Sequence, residues 1–299
     1  PAVVPTPPVT IDRGPRPYQN VSPEEAEELL ALGAVVLDVR TPREHEELGH
    51  IPGALQIWRS DYEPQGEANP YPFEGMILDQ AAFQTFVRNL GIDDDSTVVL
   101  YDEKYDATRV WWGFFLYGKQ DVRILDGGYQ AWKKAGFDTS MGGADKPAKV
   151  GAFTAKEPLK GWVVGMDEVK LTQTDPTWKL WDTRESEEWT GEELKKGAFR
   201  KGRIPWATFQ NWKEYKQPVE GEKEFTEFKD AAGVEAVIAK YGMTPEQHHV
   251  FYCQSGVRTT TNMFALYLMG WDPAHLHNYD GSWIEWSYHQ DTPVVVEAQ

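Results

Sequence analysis

The single cysteine of this 299-residue chain stands in a setting that favours a reactive thiol. An apolar, β-type run ends at Cys253, a short polar turn with a glycine follows, and a helix-like apolar pattern begins behind Arg258. Such a strand–turn–helix directs backbone N–H groups and a helix N-terminus at the turn, where positive potential stabilises a thiolate. A lone cysteine is more often a buried structural residue. Its place at a strand end, before a polar loop, nevertheless predicts a nucleophile.

The elements that must position this cysteine occur twice along the chain. Each half has an apolar run that ends in Asp-x-Arg, then an Ile-Pro element, a second strand-like run, and a third run that enters an Asp-Gly pair. The matched pairs are 38–40 with 182–184, 51–54 with 204–207, Asp102 with Cys253, and Asp126-Gly127 with Asp280-Gly281. Four matches in the same order make chance a poor explanation and predict an internal repeat.

Strands that alternate with helical patterns predict an α/β fold in which each half is a mostly parallel sheet flanked by helices. Ligands bind beyond the carboxyl ends of the strands in such sheets, and Cys253 is expected there. Helix starts are also readable, since Ser22 before Pro23 is typical of an N-cap followed by proline in the first turn.

Composition shifts predict four segments. Residues 1–17 are expected to be a Pro-rich arm outside both domains, residues 18–141 a first domain, residues 142–159 a linker, and residues 160–299 a second domain. The Pro-rich beginning without Met favours an exported protein after removal of a signal peptide, with a trimmed cytoplasmic chain as the alternative.

The composition also argues against several classes of partner. A formal net charge of −17 without any Lys/Arg run argues against binding to nucleic acid or to an anionic membrane surface. No apolar stretch is long enough to span a membrane. One cysteine excludes an internal disulfide and a multi-cysteine metal site. The paired histidines His248-His249 and His275/His277 are interpreted as ordinary strand residues, so we expect no metal and no cofactor.

The paired motifs resemble the tandem-domain rhodanese family of sulfurtransferases, over roughly residues 18–290. The elements that carry the resemblance are D-V-R at 38–40, H-I-P-G-A at 50–54, R-V-W-W at 109–112, the Cys253 loop, and D-G-S-W at 280–283. The resemblance implies two similar α/β domains of which only the C-terminal one carries the nucleophile. This chain fits that pattern, because Asp102 stands where the second half has Cys253.

The resemblance implies a double displacement. Cys253 attacks the outer sulfur of a small anionic donor such as thiosulfate, and an acceptor such as cyanide or a thiol then removes that sulfur from a persulfide. The loop suits this chemistry, because its backbone N–H groups can hold the thiolate and the outer sulfur, and Arg258 can bind an anionic donor through two N–H groups. The predicted substrate-binding residues of the loop are Gln254, Ser255, Gly256, Val257, Arg258 and Thr259.

Four further residues are predicted near the site. Arg109 begins an aromatic helix and is expected to face the cleft from the first half, and Trp283 is expected to line the pocket. Asp182 is expected to cap its turn behind the site. Arg184 is expected to pair with a nearby acid, Glu187, Glu188 or Glu285.

Three points stay open at the level of the sequence. Phosphatases of related fold use C-x5-R, whereas Cys253 and Arg258 form C-x4-R, a smaller ring that suits a sulfur atom; a phosphatase is the less favoured enzyme. A sulfur-carrier protein that delivers its persulfide to a partner protein is the second alternative. The donor is also open between thiosulfate and 3-mercaptopyruvate. Ser255 matches members of the 3-mercaptopyruvate type, Gln254 does not, and Glu188 stands where some members have a substrate-binding arginine.

Overall fold

The computed structural model describes residues 12–143 and 145–297. Most of the predicted N-terminal arm, residues 1–11, lies outside the described residues.

The first repeat is a five-stranded parallel sheet with helices on its faces. Its strands are β1 (Asn20–Val21), β2 (Val35–Asp38), β3 (Leu55–Gln56), β4 (Val98–Tyr101) and β5 (Val122–Leu125). Its helices are α1 (Pro23–Ala31), α2 (Pro42–Leu48), α3 (Arg59–Tyr62), α4 (Gln80–Asn89), α5 (Asp106–Leu116) and α6 (Gly128–Lys134). The strand order is β1-β5-β4-β2-β3, and every pairing in it is parallel.

The second repeat has the same architecture. Its strands are β6 (Val163–Val164), β7 (Trp178–Asp182), β8 (Thr208–Phe209), β9 (Lys216–Gln217), β10 (Glu227–Phe228), β11 (His248–Tyr252) and β12 (Leu276–Tyr279). Its helices are α7 (Met166–Leu171), α8 (Ser186–Thr190), α9 (Ala231–Tyr241), α10 (Thr259–Leu268) and α11 (Ser282–Tyr288). The order β6-β12-β11-β7-β8 repeats that of the first sheet, and β9 with β10 forms a separate antiparallel pair. The predicted fold class is therefore confirmed.

Local sequence explains where several helices begin. The Ser22 hydroxyl accepts the N–H of Glu25, and the Glu25 carboxylate accepts the N–H of Ser22, which closes a capping box at the predicted start of α1. Helix α10 spans the stretch that its apolar pattern predicted. Helix α5 begins at Asp106, three residues before the expected Arg109, because its first turn is polar and carries no apolar signal.

The two repeats meet along α5 and α10. Trp111 packs edge-on against Phe264, with ring centroids 4.7 Å apart, and the hydroxyls of Thr108 and Thr260 are hydrogen-bonded at 2.8 Å. One buried apolar cluster runs through this interface into both sheets, while a smaller cluster lies on the far face of each sheet. A shared core of this kind fixes the two repeats against each other and shapes the cleft between them.

The described part of the predicted arm, residues 12–17, lies against the second repeat and not outside both. Arg16 donates to the carbonyl groups of Tyr267 (2.9 Å) and Trp271 (3.0 Å), and its guanidinium stacks on the Tyr267 ring at 4.0 Å. The physical reason is that the last carbonyls of a helix need donors, which an arginine supplies at the end of α10.

Candidate active site

Cys253 lies directly after β11, at the carboxyl end of a central strand that is flanked by β7 and β12. It is 1% exposed. Its N–H donates to the hydroxyl of Ser282 at 3.1 Å, and its carbonyl accepts the N–H of Trp283 at 3.0 Å. Both contacts come from the first two residues of α11, so the start of this helix holds the backbone of the cysteine in place.

In the loop from Cys253 to Arg258, five of the six carbonyl groups are bound, whereas the N–H groups that follow Cys253 are free within the described residues. The carbonyls of residues 253, 254, 256, 257 and 258 all accept hydrogen bonds. None of the six N–H groups of residues 254–259 donates to an acceptor within the described ranges. A turn arranged in this way presents a set of unpaired donors, which is the anion-binding concavity known as a nest. A loop of this kind can stabilise negative charge on the sulfur of the cysteine at which it begins.

Gly256 is needed for this loop geometry. Its φ is +69°, in the left-handed region, and an added Cβ would lie 2.8 Å from a carboxylate oxygen of Asp280. The Gly256 carbonyl accepts from the Nη1 of Arg109 (3.1 Å) and from the side-chain amide of Asn278 (3.0 Å). The glycine thus allows the loop to approach the Asp280 side chain closely.

Arg258 forms a two-bond ion pair with Glu188, with N–O distances of 2.6 and 2.9 Å. Burial opposes both charges, but the Glu188 carboxylate and the charge of a Cys253 thiolate raise the pKa of Arg258, and the guanidinium lowers the pKa of Glu188. Both terminal nitrogens of Arg258 are engaged by the carboxylate. Glu188 takes one N–H of each terminal nitrogen, so a donor anion would bind the N–H groups of Arg258 that Glu188 leaves free, and Arg258 also contributes its charge beside the sulfur.

A cavity of about 340 Å³ opens beside Cys253 at the boundary between the repeats. Among the predicted loop residues, Gln254, Ser255, Val257 and Arg258 line it, whereas Gly256 and Thr259 do not. The cavity is also lined by residues that the sequence analysis did not identify: Arg59, Tyr105, Glu185, Lys195 and Lys196. Arginine and lysine outnumber carboxylates in this wall, so the site is locally cationic in a chain of net charge −17.

The cations of the cavity differ in how far they are already neutralised. Arg59 pairs with Asp106 at 2.8 Å, and Lys195 pairs with Glu193 at 2.9 Å. The exposed ammonium of Lys196 has no hydrogen bond or ion pair to a described residue. A Lys195-Lys196 pair within an acidic chain was a usable signal in the sequence. Nothing in the local sequence pointed to Arg59 or Tyr105, because they reach the site from the other repeat.

Arg109 and Trp283 do not line this cavity, which corrects the expectation of direct substrate contact. Arg109 is fully buried and donates to Asp280 (2.5 Å) and to the carbonyls of Gly256 and Gly75 (3.1 Å each). Trp283 is 1% exposed and its indole N–H donates to the Arg200 carbonyl at 2.8 Å. A buried guanidinium requires such partners, and here they tie the first repeat to the cysteine loop.

Arg184 pairs with Asp182 at 2.6 Å, so the expected pairing with Glu187, Glu188 or Glu285 is wrong. The reason is local, because both side chains of the Asp-x-Arg motif lie on the same side of the strand end. Tyr252 donates its hydroxyl to Asp182 at 2.6 Å, and Arg184 donates to the Gly202 carbonyl at 2.8 Å. The first repeat has the same set, formed by Asp38, Arg40, Tyr101 and Gly49. A set that also occurs where no cysteine is present belongs to the fold.

The first repeat cannot reproduce the cysteine loop. Asp102 stands in the place of Cys253, and its Oδ2 accepts the N–H of Ala107 at 2.7 Å. In this copy of the turn, the Asp102 carboxylate therefore accepts a backbone N–H that an external anion could otherwise bind. Gly128, with a φ of +55°, replaces Ser282 and offers no hydroxyl to the backbone.

Within residues 12–143 and 145–297, no group of three or more His, Cys, Asp or Glu side chains is arranged to hold a metal ion. No helix in the described part of the chain has the length and apolar character needed to cross a membrane.

The chain matches the rhodanese-like domain family twice, over residues 22–135 and 166–289. It is 30% identical over 258 residues to the "Sulfur carrier protein TtuD" of Thermus thermophilus, covering 83% of this chain and 85% of the relative. It is 31% identical over 255 residues to the "Thiosulfate sulfurtransferase" of Corynebacterium glutamicum, covering 80% and 77%. It is 29% identical over 249 residues to the "3-mercaptopyruvate sulfurtransferase" of Escherichia coli K12, covering 82% and 83%.

The chain is also similar to solved structures over nearly its whole length. A variant of EanB in complex with ergothioneine has a TM-score of 0.83 at 26% identity, covering 97% of this chain and 72% of that one. Another EanB structure, with ergothioneine covalently linked to a persulfide cysteine, has the same TM-score of 0.83 and the same identity of 26%.

Proposed function

Because this chain belongs to the rhodanese-like domain family, in two tandem copies, we propose that it is a sulfurtransferase that carries the transferred sulfur as a persulfide on Cys253. The family was predicted from the paired motifs and is confirmed by the match over both repeats. The observation that carries the proposal is the single cysteine of the chain, which lines a cationic cavity and is followed by six N–H groups without an acceptor among the described residues.

The proposed reaction has two displacements on sulfur. The Cys253 thiolate attacks the sulfane sulfur of the donor, an S–S bond to the enzyme forms, and the donor's own bond to that sulfur breaks, so that thiosulfate leaves as sulfite. The terminal sulfur of the persulfide keeps the negative charge, which the loop amides stabilise. Cyanide or a thiolate then attacks this sulfur, the S–S bond breaks, and the Cys253 thiolate returns. With thiosulfate, neither displacement requires a proton to be transferred, which agrees with the absence of histidine from the described residues lining the cavity. With 3-mercaptopyruvate, the C–S bond breaks and the departing pyruvate enolate takes a proton from water.

We propose that Lys196, with support from Arg59 and Lys195, binds the anionic group of the donor. Glu188 already neutralises the charge of Arg258 and accepts one N–H from each of its terminal nitrogens. The ammonium of Lys196 is the cation of the cavity wall without a partner among described residues, so it can take up a sulfonate or carboxylate oxygen without breaking an existing ion pair. Thiosulfate and 3-mercaptopyruvate are both proposed donors, because both have an anionic group near the transferable sulfur: directly bonded to it in thiosulfate, and separated from it by two carbon atoms in 3-mercaptopyruvate.

Intact mass spectrometry tests the proposal directly. The protein is incubated separately with thiosulfate, 3-mercaptopyruvate and inorganic polysulfide, and its mass is measured before and after addition of cyanide. We expect a gain of one sulfur atom that cyanide reverses, and no gain in Cys253→Ser. The donor that loads the protein fastest identifies the specificity. No gain with any of the three donors, or a gain that persists in Cys253→Ser, would refute the persulfide.

A second candidate, a sulfur carrier for a partner protein, is favoured by one observation. The relative named "Sulfur carrier protein TtuD" matches over 83% of this chain. The two candidates differ in the second displacement. A carrier holds its persulfide in the presence of cyanide or small thiols at millimolar concentration, whereas an enzyme with small acceptors unloads within seconds. The same mass measurement, followed over time, separates them.

A further inference from the structure

A second cavity, of about 710 Å³, lies between the repeats and shares no lining residue with the cavity at Cys253. Its wall comes mostly from the segment between residues 60 and 82, with Tyr117 of the first repeat and Asp280 of the second. Its volume falls within the range of small-molecule sites, about 300–1,000 Å³. None of the chemistry proposed for Cys253 uses it.

The wall of this cavity combines apolar surface with carboxylates and has no lysine, arginine or histidine. Leucine, isoleucine, methionine and proline side chains provide the apolar surface, and two tyrosine rings, Tyr71 and Tyr117, are exposed to the cavity. Four carboxylates also line it: Asp61, Glu63, Asp79 and Asp280. An anionic ligand would be repelled here, so the chemistry of the wall selects a cation with an apolar body.

Three of the four carboxylates are already satisfied by the protein. They accept from backbone N–H groups as follows: Asp61 from Trp58 at 2.7 Å, Asp79 from Ala82 at 2.8 Å, and Asp280 from Ile77 at 2.9 Å. Asp280 is further neutralised by Arg109. These groups shape the turns around the cavity and do not require a ligand.

Glu63 differs from the other three. Its side chain is 9% exposed and makes no hydrogen bond or ion pair with a described residue, and its Oε1 is buried without a partner. Arg59 and Arg109 face it, but each is paired with its own aspartate, Asp106 and Asp280. A buried carboxylate without a partner costs free energy, and such a group in a native protein calls for an explanation.

We propose that this cavity binds a small organic cation, an ammonium group on an apolar or aromatic body, with Glu63 as its counter-ion. The ammonium supplies the positive partner that Glu63 lacks, and the rings of Tyr71 and Tyr117 add cation–π attraction. The apolar side chains of the wall cover the body of the ligand. This inference does not depend on the persulfide proposed at Cys253.

Benzyltrimethylammonium is a suitable probe, because its charge does not titrate. Calorimetry on the full chain compares it with neutral 2-phenylethanol and with anionic phenylacetate. We expect the ammonium to bind more tightly than the alcohol and phenylacetate not to bind. Glu63→Gln should weaken the binding of the ammonium about tenfold or more, the effect of about 1.4 kcal/mol. Glu67→Gln, at an exposed position outside the cavity, is the matched control and should bind as the wild type does. Cys253→Ser should also bind normally, which places the ligand outside the catalytic cavity.

The pH dependence of the wild type provides a test that needs no variant. Burial raises the pKa of Glu63 to about 7. The positive charges of Arg109 and Arg59 lower this pKa, and the negative charges of Asp280 and Asp106 raise it further. The cation binds the ionised carboxylate, so affinity should rise about tenfold between about pH 6 and about pH 8 and then level off. No binding of the probe, equal binding by Glu63→Gln and the wild type, or an affinity independent of pH would overturn the proposal.

Discussion

Replacing Gly256 with alanine tests whether the close approach of the cysteine loop to Asp280 is essential to the site. The residue has a φ of +69°, and its added Cβ would lie 2.8 Å from the Asp280 side chain and 2.9 Å from the Asp280 carbonyl. Gly53→Ala is a matched control, because Gly53 has a φ of +79° and no atom within 4 Å of its added Cβ. Both variants place an alanine at a positive φ, but only Gly256→Ala also brings the new Cβ into close contact with Asp280.

The expected magnitudes follow from these two terms. An alanine in the left-handed region is strained by about 1–2 kcal/mol, and the loss of unfolded-chain entropy offsets about 0.4–1 kcal/mol of that. Gly53→Ala should therefore lower the free energy of unfolding by about 1 kcal/mol. Gly256→Ala adds a contact with a carboxylate that cannot move aside, because Arg109 and the N–H of Ile77 hold it. Overpacking of this kind adds about 1–3 kcal/mol, for a total of about 2–4 kcal/mol.

The assay has two readouts. Urea unfolding gives the free energy of unfolding for both variants and the wild type. Intact mass spectrometry after a pulse of the preferred donor gives the rate at which the persulfide forms. Gly256→Ala should load at least tenfold more slowly, because the shifted loop no longer directs its amides at the sulfur, and Gly53→Ala should load at the wild-type rate. Equal destabilisation of the two variants, or loading of Gly256→Ala at the wild-type rate, would refute this reasoning.

Three further substitutions test other contacts of the site. Lys196→Gln should raise the KM for an anionic donor about threefold to tenfold with little change in kcat, whereas Lys201→Gln, outside the cavity, should change neither; equal effects of the two would contradict the proposed anion contact. Glu188→Gln should lower the free energy of unfolding by about 3–5 kcal/mol, because it leaves the Arg258 charge buried without its partner. The pKa of Glu188 is lowered on folding, so its stabilising effect is present above the usual glutamate pKa and is lost as pH falls through the folded value. Acid titration followed by circular dichroism should therefore show less loss of stability below about pH 5 in Glu188→Gln than in the wild type. Arg109→Gln should slow persulfide formation. Alkylation of the unfolded variant by a small reagent is the control, because it shows that the cysteine is still a free thiol. Persulfide formation at the wild-type rate would show that Arg109 does not position the loop.

Much of the fold could be predicted because its determinants are local. The apolar runs before Asp102 and Cys253, the capping residues at Ser22, and the apolar pattern of α10 all act within a few residues of chain, which is the range over which strand and helix periodicity operates. Because these local signals recur in the same order in both halves, they also predict two domains of the same architecture. The two sheets indeed have the same strand order.

The partners of the polar side chains could not be predicted in the same way. Arg258 is bound to Glu188, 70 positions away, and Arg109 is bound to Asp280, 171 positions away. A charged side chain that is removed from water takes whichever counter-charge the packing brings within reach, and no sequence spacing encodes that choice. The pairing of Arg258 with Glu188 could not be predicted for this reason, and the binding of a donor anion by Arg258 stays a prediction.

The sequence alone was enough to predict the two-fold α/β repeat, the single cysteine at a strand end, and the short loop whose N–H groups suit a negative sulfur. Only the tertiary structure decided the rest of the site. The docking of α5 against α10 brings Arg59 and Tyr105 to the wall of the catalytic cavity and leaves Glu63 without a partner in a second one. Strands, helices and turns follow from the pattern of residues close together in the chain. The charge of the cleft depends instead on which distant segments pack against each other.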